Sequence, residues 1–169
     1  MHSADLMYTI AQIAVALAGF SAIIVSLNQK PIRDWDIADQ VNIRLLIQIS
    51  MVVIFFSTFP SFLAIFLSNS DIWLYSLWGY GLIHLTGAGF FLLLKSKHTP
   101  RIFRFAAILG ITVGLLQVAT AYFGSDLARE SMFIFTLIWH LGIIFMAFIL
   151  LLYQIRDTTN NVGNEGESK

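Results

Sequence analysis

Cysteine is absent from this chain of 169 residues. The absence excludes disulfide bonds, thiolate metal sites, cysteine nucleophiles and iron–sulfur clusters. Chemistry that depends on sulfur ligands is therefore not expected here.

Charged residues are also scarce. They make up 12% of the sequence, against 57% apolar residues, and the mean hydropathy is +0.77. A water-soluble domain cannot cover so much apolar surface, so the composition predicts an integral membrane protein whose first partner is the lipid bilayer. The net charge is zero and the basic residues lie between the apolar runs, so we expect no nucleic-acid partner.

Carboxylates are missing from the interior of every long apolar run. The sequence therefore has no HExxH helix, no intramembrane aspartate pair and no buried acid to relay protons or bind a coupling cation. Phosphate-binding glycine loops and nucleophile elbows are missing as well. We expect a protein that is not an enzyme and has no metal site.

Five apolar runs are each long enough to cross about 30 Å of hydrocarbon as a helix. We predict an all-α, polytopic bundle in a single membrane domain, residues 1–156, followed by a polar, disordered tail at 157–169. Pro60 falls inside the second run and predicts a kink there. The predicted spans are 7–27, 45–67, 72–94, 102–123 and 131–153.

Basic residues are divided very unevenly between the two sides of such a bundle. With five spans, the side that holds the carboxyl terminus has nine of the ten, and the other side has only Arg129. Because cytoplasmic connections carry the excess of Lys and Arg, we predict an outside amino terminus and a cytoplasmic carboxyl terminus. The nine are Lys30, Arg33, Arg44, Lys95, Lys97, Arg101, Arg104, Arg156 and Lys169.

Four of these nine residues lie in one connection, and they have two interpretations. Simple topological anchoring is the first, and binding of an anionic lipid head group or a phosphorylated partner is the second, since each basic residue adds roughly 1 kcal/mol near an anionic surface. The four are Lys95, Lys97, Arg101 and Arg104.

Small residues recur at helical spacing on two of the predicted spans. Ala14, Ala18 and Ala22 share one face of the first span, and Gly110 and Gly114 form a GxxxG pair on the fourth. Such faces allow close approach of another helix backbone. We expect the protein to associate through them, as a homo-oligomer or as a subunit of a membrane complex.

Polar side chains inside the spans indicate a candidate pocket. At roughly 1.5 Å of rise per residue, they fall in the outer half of the bundle, so the pocket is expected to open outward and to be closed inward. The expected members are Gln12, Ser57, Ser61, His84, Gln117, Thr136 and His140.

His84 and His140 lie on parallel spans at similar depths, which raises the hypothesis of a bis-histidine haem b. The alternative is a pair of neutral imidazoles that share hydrogen bonds with Gln117 or Thr136. Apart from this haem, no cofactor is expected.

One segment resembles a known group of proteins. The helix Leu17–Leu27, followed by a tryptophan, an aspartate and then Arg44, Leu45 and Leu46, is similar to small bacterial membrane proteins that have no assigned function. The resemblance covers about the first third of the chain. It implies a bacterial inner membrane and supplies no functional site.

The sequence therefore predicts a non-enzymatic interaction or structural subunit of the membrane. A homo-oligomeric channel for an ion or small solute is the first alternative, and a haem-bearing subunit is the second.

The predicted topology can be tested with reporter fusions at the two chain ends. A periplasm-active reporter should work at the amino terminus and a cytoplasm-active reporter at the carboxyl terminus, because charge asymmetry orients the bundle. Activity of one reporter at both ends would contradict the five-span topology.

Overall fold

A computed structural model describes residues 3–28, 31–93 and 101–166, with side chains described as far as residue 153 and excluding that of residue 101. This part of the chain is all-α and contains no strand. All five helices are long and apolar enough to cross a membrane. They are α1 (Ala4–Leu27), α2 (Ile37–Leu63), α3 (Asn69–Leu93), α4 (Arg101–Phe123) and α5 (Asp126–Gly166), with a short 3-10 turn at Ile32–Asp34.

The ends of α2 differ from the predicted span. The helix begins at Ile37 with Asp36 as its N-cap, which confirms the helix start expected at Asp34 or Asp36, about two turns before the predicted apolar span at 45–67. Pro60 lies in the last turn of α2, where a kink in the middle of a span was expected. The helix ends at Leu63, four residues before the predicted end of the span at 67, and a turn leads to α3.

The fifth helix is longer than predicted at both ends. It begins at Asp126, and its helical backbone continues to Gly166, past residue 157 where a disordered tail was expected. No proline or glycine lies between Gly142 and Gly163 to interrupt the helix. Residues 167–169 lie outside the described part.

Helix packing divides the bundle into two groups. One group is α1, α2 and α5, in which α2 packs extensively on both partners, and the other is the tightly packed pair α3 and α4. The fifth helix contacts all four others, whereas α2 and α3 make few contacts although a short turn joins them. We call the end of the bundle where α1, α3 and α5 begin the N end, and the opposite end the C end.

Aromatic side chains join the two groups toward the N end. Phe56 of α2 stacks on Tyr80 of α3, with ring centroids 4.3 Å apart, and both rings contact Phe133 of α5. Trp73 of α3 lies 5.9 Å from Phe133. All four side chains are almost fully buried. This aromatic cluster (Phe56, Trp73, Tyr80 and Phe133) fills the bundle interior between the two groups.

The glycine face of α4 packs against α3 of the same chain. A Cβ atom at Gly110 would lie 3.0 Å from Nε2 of His84, and one at Gly114 would lie 2.8 Å from Cδ2 of Leu85. Glycine is therefore needed for this close approach. The face is occupied within the chain, so the expectation that a second copy binds to it is wrong.

The alanine face of α1 is only partly covered by the bundle. Ala14 is fully buried and Ala18 is half-buried, but Ala22 is exposed. A Cβ atom at Gly19 would meet nothing within 4 Å. On this alanine face, the part around Ala22 is open to another protein.

Substitution of Gly114 should test the α3–α4 contact. We expect Gly114→Leu to lower the free energy of unfolding by about 1–3 kcal/mol, because the added side chain overpacks against Leu85. Gly19→Leu is the matched control, since the space beside Gly19 is open. Thermal unfolding in detergent would measure both, and equal stability of the two variants would contradict the packing.

Candidate functional site

Polar side chains from α3, α4 and α5 meet in the middle of the bundle. Tyr80 and His84 are one helical turn apart on α3, so they share a face, and Thr136 and His140 have the same spacing on α5. Gln117 projects from α4 toward the same point. All five residues are buried.

Hydrogen bonds link these side chains in two pairs. Nδ1 of His84 lies 2.9 Å from Oε1 of Gln117, and Nδ1 of His140 lies 2.9 Å from the hydroxyl oxygen of Tyr80. Nδ1 of His140 is also 3.0 Å from the backbone carbonyl of Thr136. The Thr136 hydroxyl itself donates to the carbonyl of Met132. The amide nitrogen of Gln117 is buried and has no partner among the described residues.

The two imidazole rings touch each other. Their centroids are 4.4 Å apart and their planes are inclined at 61°. We call His84 and His140 the histidine pair. Each ring uses Nδ1 for its hydrogen bonds within the bundle. In both rings Nε2 is the nitrogen that has no such hydrogen bond among the described residues.

A cavity of about 430 Å³ extends from the histidine pair toward the C end. Its walls come from α2, α3, α4 and α5, where the two helix groups diverge, and they are mostly apolar. Besides the histidine pair, the polar side chains that line it in the described part of the chain are Arg44 and Gln48, both exposed and both on α2. The apolar walls include Val41, Leu45, Ile49, Val52, Phe90, Phe91, Phe103 and Ile143.

The depth of Arg44 follows from the register of α2 against α5. Asn42 donates a hydrogen bond to the carbonyl of Ala147, and Phe56 contacts Phe133, so the same 14-residue interval separates the two contacts on both helices. Arg44 is therefore level with residue 145, roughly 7 Å closer to the C end than His140 at 1.5 Å per residue. The arginine marks the mouth of the cavity and the histidine pair its inner end.

The cavity opens in the direction opposite to the one predicted. A polar pocket open toward the N end was expected, with apolar residues closing the other half. The aromatic cluster instead blocks the N end, and Ile49, Val52 and Phe90 line a space where closure was expected. The difference lies in whether rings from different helices meet, because the rings of the aromatic cluster contact one another whereas Phe90, Phe91 and Phe103 line the open space.

Three predicted pocket members lie elsewhere. Gln12 is exposed on the outside of α1, whose buried face carries Ile10, Ala11 and Ala14. The Ser61 hydroxyl is half-buried and accepts a hydrogen bond from Tyr8 at 3.0 Å. Ser57 is fully buried but lies beyond Phe56, away from the histidine pair, and its hydroxyl has no described partner.

The histidine pair does not fit a bis-histidine haem. Two axial imidazoles lie on opposite faces of the porphyrin, each with a nitrogen about 2 Å from the metal, so the ring centroids must be at least roughly 6 Å apart. The observed separation is 4.4 Å, with no porphyrin-wide gap between the rings. The residues present do not provide the haem site that their depths suggested.

The basic connection contributes little to the described site. Lys95 and Lys97 lie outside the described residues, as does the side chain of Arg101. The Arg104 side chain is exposed on α4 and already has an interaction partner. The lipid head-group hypothesis therefore stays a prediction.

Two members of the site, Tyr80 and Arg44, were not predicted from the sequence. Tyr80 precedes His84 by one helical turn, a spacing that places its hydroxyl on the histidine face. Arg44 was assigned to a connection because the predicted second span began after it. Arg44 falls within the second helix when that helix is taken from its start at Ile37.

No family model, curated protein or solved structure was found to match this chain. The geometry of the site therefore carries the functional argument alone.

Removal of the Tyr80 hydroxyl should destabilise the protein. We expect Tyr80→Phe to lower the free energy of unfolding by about 1–3 kcal/mol, because the ring can still stack on Phe56 while His140 loses a buried partner. Tyr75→Phe is the control, since Tyr75 is exposed on the same helix. Unfolding in detergent would measure both, and a neutral Tyr80→Phe would show that the hydrogen bond is dispensable.

Proposed function

We propose that this chain is a non-enzymatic, multi-pass protein of a bacterial inner membrane that binds a lipophilic small molecule in the cavity at the histidine pair. The observation that carries the proposal is the combination of an apolar space with a few convergent polar groups at its inner end. This combination is typical of small-molecule sites.

The size of the cavity supports a compact ligand. About 430 Å³ lies within the range of roughly 300–1,000 Å³ usual for small-molecule pockets. Most of its walls are aliphatic or aromatic side chains, so the body of the ligand is apolar. The histidine pair fixes its orientation, because a buried polar group gains most from a hydrogen-bonded partner.

The proposed orientation follows from the basic residues of the sequence. With the amino terminus outside, the C end of the bundle is cytoplasmic and the mouth of the cavity at Arg44 lies in the cytoplasmic half of the bilayer. A ligand dissolved in the inner leaflet then reaches the cavity between the diverging helix groups. No passage through water is required.

The packing also bears on the other two hypotheses. A pore through one copy has to cross the aromatic cluster, whose side chains are almost fully buried, so the cluster argues against it. Of the two small-residue faces, the surface that remains open for association with another protein is the part of α1 around Gly19 and Ala22. Self-association through that surface stays a proposal alongside ligand binding.

Gly87 offers a way to fill the cavity without disturbing the bundle. It lines the cavity, and a Cβ atom there would meet nothing within 4 Å. We expect Gly87→Leu to abolish labelling of cavity residues by an apolar aryl diazirine in nanodiscs, because the new side chain occupies the space. Peptide mapping by mass spectrometry would locate the label.

Gly89→Leu is the matched control, since Gly89 lies on the same helix, has equally open surroundings and does not line the cavity. It should retain the labelling. Equal labelling in both variants would contradict a ligand-binding cavity.

A further inference from the structure

We propose that the histidine pair recognises a hydroxyl group, so that the ligand is an apolar alcohol or phenol. The inference rests on the proposed ligand binding and specifies its chemistry. It depends on which nitrogen of each imidazole carries the proton, and the hydrogen-bond partners of the two rings determine this.

His140 has its proton on Nε2. The Tyr80 side chain is 0% exposed, so its hydroxyl proton needs an acceptor, and Nδ1 of His140 at 2.9 Å is the partner that the structure provides. The Thr136 carbonyl, 3.0 Å from Nδ1, has a second lone pair and could also accept, so the tautomer is decided by the Tyr80 hydroxyl, which has no other acceptor among the described residues. When Nδ1 accepts from Tyr80, a neutral imidazole must carry its proton on Nε2. This ring therefore offers a donor.

His84 has the opposite tautomer. Its Nδ1 faces Oε1 of Gln117 at 2.9 Å, and an amide oxygen only accepts, so Nδ1 carries the proton and Nε2 has a lone pair. A Cβ atom at Gly110 would lie 3.0 Å from this Nε2. The nitrogen therefore packs close to the backbone of Gly110, which like His84 lines the cavity, and it has no hydrogen-bond partner among the described residues. This ring therefore offers an acceptor.

One ring of the pair offers a hydrogen-bond donor and the other offers an acceptor. The matching ligand group is one that can both accept and donate a hydrogen bond. The rings are in contact, with centroids 4.4 Å apart. In the inferred binding mode one oxygen lies beside the pair, accepts from Nε2 of His140 and donates to Nε2 of His84. A hydroxyl has one proton and two lone pairs and satisfies both rings. A carbonyl or ether oxygen satisfies only His140, and an ammonium group satisfies only His84.

Three probes with the same apolar body separate these cases. They are 4-octylphenol, its methyl ether 4-octylanisole, and the ketone 4′-octylacetophenone, each used to compete with the aryl diazirine on the full chain in nanodiscs. We expect the phenol to compete about tenfold more strongly than the ether or the ketone, the difference typical of one buried hydrogen bond. In His84→Leu, which lacks the acceptor, this preference for the phenol should disappear.

The tautomers can be measured without any ligand. In protein labelled with ¹⁵N-histidine, nitrogen NMR should show a protonated Nδ1 for His84 and a protonated Nε2 for His140. Spectra of His84→Leu and His140→Leu would assign the signals among the four histidines of the chain. This measurement keeps the inference testable if a variant binds poorly.

The outcomes separate the two proposals. If no probe competes, ligand binding itself is wrong. If the three probes compete equally, the cavity binds lipophiles but the hydroxyl inference is overturned. A preference for the ketone, together with protonated Nε2 on both rings, would overturn it as well, because the pair would then be a double donor with the Gln117 amide turned over.

Discussion

A polar side chain placed in an apolar bundle must find its hydrogen-bond partner inside the protein, and this constraint organises the centre of the molecule. Tyr80 is hydrogen-bonded to His140, and His84 to Gln117, across three different helices. The buried amide nitrogen of Gln117 has no partner among the described residues. The hydrogen bonds fix how α3, α4 and α5 are rotated about their axes, because a rotated helix would leave a buried nitrogen or oxygen without a partner.

The position of the cavity is determined by the unequal packing of the two helix groups. Close approach of α4 to α3 at Gly110 and Gly114 makes that pair compact, and the aromatic cluster fixes the pair to α2 and α5 toward the N end. Between them, α2 and α3 make few contacts among the described residues, and Gly87 of α3 has open space beside it on the cavity side. The cavity is the result of this divergence, and the histidine pair lies where the packed and open halves meet.

Sequence reasoning predicted the five spans because hydropathy accumulates over some twenty residues and survives errors at single positions. It also placed His84, Gln117 and His140 at compatible depths, since helical rise depends only on residue number. Depth alone does not give the direction in which a side chain points, so Gln12 was assigned to the pocket although it faces outward.

The glycine pair Gly110 and Gly114 was recognised as a contact surface, but whether the partner is α3 or a second copy depends on the order in which the helices pack. The opening of the cavity was mispredicted because aromatic rings from three helices meet only in the folded bundle.

The histidine pair straddles the boundary between the two helix groups. His84 belongs to the α3–α4 pair and His140 to the group of α1, α2 and α5, and their rings are in direct contact. Any tilt of one group against the other, pivoting at the aromatic cluster, alters the spacing of the two imidazoles. A molecule hydrogen-bonded to both imidazoles would therefore tie the two helix groups together and resist such a tilt.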